Sequence, residues 1–118
     1  TNTDIFLAMK EAYTNGVFGI KGYGGDINNR DAWPVMLKEY QYLLTYGMWE
    51  FSEFWDGGSL SPEWNDNART PSGILANNPL GYALYNKYFA PVISKPSKEV
   101  LRTIFQDNDQ GESGYIPD

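Results

Sequence analysis

The sequence contains neither cysteine nor histidine in its 118 residues. Without cysteine there are no disulfides, no thiolate metal sites and no thiol nucleophiles. Without histidine the chain lacks the commonest general base and the commonest metal ligand. Ser-His-Asp and Cys-His catalysis, zincin chemistry and zinc fingers are therefore excluded. Positive charge is also scarce, with nine Lys and Arg against fifteen Asp and Glu, a net of −6. A binder of duplex phosphate normally carries a basic surplus, so nucleic acid is not the expected partner. The longest stretch without a charged side chain, residues 70–86, is broken by Pro71, Asn77, Asn78 and Pro79. It falls short of the about 20 apolar residues that a bilayer span needs, so no transmembrane segment is expected. The chain begins at Thr1 rather than Met, which reads as a processed or trimmed N-terminus and leaves the compartment open.

What is present is apolar and aromatic. Hydrophobic residues make up 42% and aromatics 16%, enough to build one core at this length. Four helices are expected. Residues 3–14 place Ile5, Phe6, Met9, Ala12 and Tyr13 on one face, with Asn2 or Thr3 as cap and Asn15-Gly16 as a left-handed stop. Five glycines between residues 16 and 25 mark a loop through residue 29, in which Val17-Phe18 or Ile20 can make a brief extended contact. Asp31 as cap and Pro34 in the first turn open a long helix over residues 34–55. Trp33, Leu37, Tyr40, Leu44, Met48, Phe51 and Trp55 recur along it as a continuous stripe, at about 100° per residue. That stripe keeps its phase across Gly47, so a single helix is expected there, and residues 56–58 end it. Residues 59–77 read as a polar connection with at most one helical turn at residues 61–64. A third helix is capped by Asn78 and runs to Phe89, and a fourth covers residues 97–107. The expected fold is an all-α, irregular bundle of about four helices with long Gly/Asn/Ser-rich connections. It forms a single domain over residues 1–107, followed by an acidic, flexible tail over 108–118.

A second stripe on the long helix carries the functional reading. Val35, Glu39, Tyr42, Tyr46, Trp49 and Glu53 lie roughly 180° around from the first stripe. Three aromatics bracketed by two carboxylates are unusual on a solvent face. They fit either a helix surrounded by core or a ridge kept for a partner. From residue 39 to residue 68 the chain has six acidic residues and no Lys or Arg, which polarises the molecule along its sequence.

The Gly22-Tyr23-Gly24-Gly25 cluster lacks the Lys-Ser/Thr ending of a phosphate loop. Residues 26–31 place Arg30 at a position where a calcium loop needs an oxygen ligand. No motif calls for a metal or a cofactor. Glycoside hydrolysis would need two carboxyls facing across a cleft, and Glu50 and Glu53 lie on the same side of a helix. The reading is therefore non-covalent binding rather than catalysis. The chain is expected to be a protein-interaction or accessory subunit of a larger assembly, bound to another protein or to itself. Glu39, Tyr42, Tyr46, Trp49 and Glu53 form the contact. The rival is a saccharide-binding module with Trp49 and Trp64 as stacking platforms and Glu53, Asp56 and Asp66 taking hydroxyls.

Overall fold

The computed structural model describes residues 2–51 and 63–92. The order is α1 (Asn2–Thr14), 3₁₀ turns at Lys21–Tyr23 and Arg30–Ala32, α2 (Trp33–Met48), a 3₁₀ turn at Asp66–Ala68, α3 (Pro71–Asn77) and α4 (Pro79–Leu84). The last helix widens into a π-turn over Tyr85–Phe89, closed by Ala90 N–H on the Tyr85 carbonyl at 2.9 Å. Among the described residues the architecture is all-α with no β-strand. The one extended contact is an isolated antiparallel bridge between Phe18 and Trp64. It ties the glycine-rich loop to the segment before α3, as the expected contact at Val17-Phe18 allows. The expected helix over 97–107, the tail and residues 52–62 lie outside the described residues.

α1 stops where Gly16 takes a left-handed φ of 76°, as the Asn15-Gly16 pair leads one to expect. Asp31 does not cap α2, which has Ala32 at that position and no side-chain cap; Asn29 caps the preceding 3₁₀ turn, its side chain accepting from Asp31 N–H. The sequence expectation for α2 is corrected at its far end. The helix passes through Gly47 unbroken but ends at Met48, well before Trp55. Glu50 adopts a left-handed φ of 59°, and this reversal carries Phe51 back into the core by a turn rather than by helical phase.

The buried face of α2 is also rotated from the expected stripe. Met36, Tyr40, Leu43, Leu44 and Gly47 are buried, whereas Leu37 and Met48 are only half-buried. At about 100° per residue that turns the core face by about 50°. Gly47 gives the reason. A Cβ there would lie 2.5 Å from the Ala68 carbonyl oxygen and 2.7 Å from Ile74 Cδ1, so the helix meets the Asp66–Ala68 turn and α3 at backbone distance. α3 itself corrects the reading of residues 59–77 as a polar connection with at most one helical turn at residues 61–64. Thr70 caps it through Gly73 N–H at 3.1 Å, and Pro71 fills its first turn.

At the centre lie three buried rings from distant parts of the chain: Phe18, Tyr40 and Trp64. Their centroids are 5.8 to 6.3 Å apart. Asn78 joins the helices above them. Its Oδ1 accepts from the Tyr40 hydroxyl at 2.6 Å, and its Nδ2 donates to the Ala8 carbonyl at 3.0 Å and to Glu11 Oε1 at 2.8 Å. The expected role of Asn78 as a side-chain cap of α4 is thereby corrected. Glu11 of α1 takes that task, its Oε1 accepting from Leu80 N–H at 2.9 Å.

Two outcomes follow for stability. Gly47→Ala should destabilise the fold by about 1–3 kcal/mol in denaturant melts, because overpacking against backbone outweighs the about 1 kcal/mol gain in helix propensity. Asn78→Asp keeps the shape but places a carboxylate against Glu11 and the Ala8 carbonyl. It should cost about 3 kcal/mol or more, read in the same melts.

Candidate functional site

The second stripe of α2 divides into an exposed half and a rooted half. Because the core face is rotated, the stripe lies on the flank of the helix rather than on its back. Val35 is 54% exposed and Tyr42 51% exposed, seven residues apart on the same side. Glu39 between them is half-buried. One turn beyond Tyr42, the ring of Tyr46 stacks on buried Phe51 at 5.3 Å and keeps a tilted contact with Tyr42 at 6.4 Å. Trp49 also packs on Phe51, at 5.2 Å, and its Nε1 donates to the Tyr85 hydroxyl at 2.5 Å. Tyr42, Tyr46, Phe51 and Trp49 therefore form one ladder of rings, open to solvent at Tyr42 and fixed to the π-turn at Trp49.

The Glu39 charge acts on two tyrosines. Tyr46 is shifted upward in pKa by burial first, then by Tyr42 and by the Glu39 charge. The second is Tyr23, whose hydroxyl donates to Glu63 Oε2. Its pKa is pushed above the ordinary phenol value by burial, by that hydrogen bond, and by the Glu63 and Glu39 charges. Tyr40 rises in the same direction, from burial and then the Glu11 charge, partly offset by its bond to Asn78. These phenols are held neutral, and each is placed as a hydrogen-bond donor or an apolar surface.

Of the expected contact residues Tyr42 is exposed, Glu39, Tyr46 and Trp49 are half-buried, and Tyr46 and Trp49 are joined through the buried Phe51, while Glu53 and Asp56 lie outside the described residues. The alternative site loses its second platform. Trp64 is 0% exposed, its Nε1 donates to the Ala68 carbonyl at 2.8 Å, and it cannot stack on a sugar ring. Its burial follows from the Phe18 bridge, a pairing between distant segments that local sequence does not signal. Asp66 is exposed and pairs with Arg69 at 2.7 Å.

Two features escaped the sequence reading. The Tyr23–Glu63 hydrogen bond joins two loop residues 40 apart in sequence. A cleft between α1 and α4, about 220 Å³ in volume, is lined by Asp4, Leu7, Leu80 and Lys87 among others.

Among the described residues no group of three or more acidic side chains is arranged to hold a metal ion. Nor is any helix there long and apolar enough to cross a membrane. No family model, curated protein or solved structure matches the chain.

The raised tyrosines fix a pH dependence. Their folded pKa values lie above the unfolded value of about 10, so below that pH they leave stability unchanged. As pH climbs past about 10 the unfolded chain releases protons that the folded chain retains, and stability falls. Melting temperature should drop above that point, and the late rise in tyrosinate absorbance should coincide with loss of helical circular dichroism.

Proposed function

We propose that the chain is a non-catalytic protein-interaction module, an accessory subunit that docks through the flank of α2. The observation that carries this reading is the ring ladder itself. Its inner end is fixed by Phe51 and by the Trp49–Tyr85 hydrogen bond, while Tyr42 and Val35 stand more than half exposed at its outer end. A rigid aromatic with a polar tip loses little side-chain entropy on docking, which suits an anchor. Glu39, placed between Val35 and Tyr42 in sequence, gives the surface a negative character and favours a partner with Lys or Arg at its rim. The contact is centred on Val35, Glu39 and Tyr42, with Tyr46 supporting the ring and Trp49 holding the ladder to the body of the fold. The saccharide reading has lost Trp64, and Trp49 has its indole N–H already bonded to Tyr85.

A photo-reactive phenylalanine analogue at position 42, with position 76 on α3 as control, tests this in cell extract. A discrete protein adduct is expected at 42 and not at 76. Tyr42→Ala should weaken binding of that protein by about 2 kcal/mol or more while leaving the melting curve nearly unchanged. No specific adduct, or a variant that unfolds, would remove the interface.

A further inference from the structure

We infer that the groove between α1 and α4 is a self-association surface, seated by a second copy of this chain. The groove is built by two antiparallel elements. At one end the Tyr88 hydroxyl donates to Asp4 Oδ2 at 3.1 Å, and at the other Leu80 N–H donates to Glu11 at 2.9 Å. Leu7 and Leu80 line it and are 48% and 47% exposed, apolar area with no covering among the described residues. A small-molecule site is disfavoured. The volume of about 220 Å³ is below the usual range for ligand pockets, and the polar lining groups Asp4, Lys87 and Tyr88 sit together at one end rather than around the groove.

Charge selects the occupant. Asp4 stands on the α1 wall and Lys87 on the α4 wall, both at the Tyr88 end, with the Lys87 ammonium 5.1 Å from the Tyr88 ring centroid. Consider a two-fold axis running along the groove. It lays α1 of one copy over α4 of the other, so each Asp4 faces the Lys87 of its mate at the Tyr88 end, and the leucines of the two copies lie further along the groove. An axis across the groove instead brings the Asp4 and Glu11 ends of two α1 helices together, which like charge opposes. The groove is thus self-complementary in one orientation. Two helix faces about 20 Å long bury on the order of 800 Å² in total, below the standard interface, so the dimer is weak and concentration-dependent.

Analytical ultracentrifugation of the full chain from about 10 μM to about 1 mM tests this, in the range where an interface of that size associates. Association should increase with concentration and weaken with added salt. Asp4→Lys and Lys87→Glu should each weaken it by about tenfold, because each places like charges opposite one another in a homodimer. An equimolar mixture of the two variants should recover wild-type association, since the mixed pair restores both contacts. Circular dichroism melts verify that both variants fold, and Leu7→Lys gives an independent disruption from the apolar floor. Tyr42→Ala should leave self-association unchanged, which separates this surface from the flank of α2. A monomer at every concentration, or a mixture that fails to recover, would overturn the proposal; the groove would then be covered by another protein or by residues 93–118.

Discussion

The described fold depends on one buried side chain, Asn78, and on the hydrogen bonds it makes at the meeting point of four helices. An amide in an apolar interior costs several kcal/mol unless it is paired. Here both amide hydrogens and the carbonyl oxygen are taken, by Ala8, Glu11 and Tyr40. Its backbone N–H closes α3 on Ile74 at 2.6 Å, and its carbonyl opens α4 on Tyr82 at 3.0 Å. One residue thus ends one helix, starts the next and fixes both against α1 and α2. Glu11 extends the network by accepting from Leu80 N–H at the α4 terminus. An all-apolar core of the same volume could slide in register, but this geometry is satisfied in only one arrangement. Gly81 completes it, because a Cβ there would collide with both Asn78 Oδ1 and the Tyr40 hydroxyl.

The second constraint is the close approach at Gly47, and its consequence is felt on the far side of the same helix. With the Ala68 carbonyl and Ile74 against its backbone, α2 cannot turn the expected stripe squarely inward. The rotation leaves Tyr42 and Val35 exposed while Tyr46 and Glu39 sink to half-burial. The Glu50 reversal then returns Phe51 beneath the rings, giving the exposed tyrosine a rigid support. The surface proposed for docking is therefore a by-product of how the opposite face packs.

The chemistry available on this scaffold is narrow. Lack of histidine and cysteine removes most nucleophilic and metal-based routes, and the tyrosines whose pKa values are raised are held neutral. What the fold does offer is rigid aromatic area beside carboxylates on α2 and paired leucines beside opposite charges in the α1–α4 groove. Both proposals draw on that area and those charges rather than on bond-breaking chemistry.

The sequence by itself determined the helical class, the extent of α1, the start of α4 after Asn78-Pro79, and a brief extended contact at Val17-Phe18 or Ile20, which the structure places at Phe18. Each rests on local physics: apolar recurrence every three or four residues, a proline in a first turn, a glycine able to take positive φ. Helical spacing also places Glu39, Tyr42 and Tyr46 on one side of α2. The tertiary structure alone decided how that face is oriented, where α2 ends, and which tryptophan is surface. Trp64 read as a platform because nothing near it in sequence reveals its pairing with Phe18, 46 residues away. Asn78 read as a cap because its partners, Ala8 and Glu11, lie 70 and 67 residues distant. α3 was overlooked because Gly73 weakens a short helix, yet that glycine is required where the Asn67 carbonyl presses against it. Periodicity records which residues share a side; only packing between distant segments decides what that side meets.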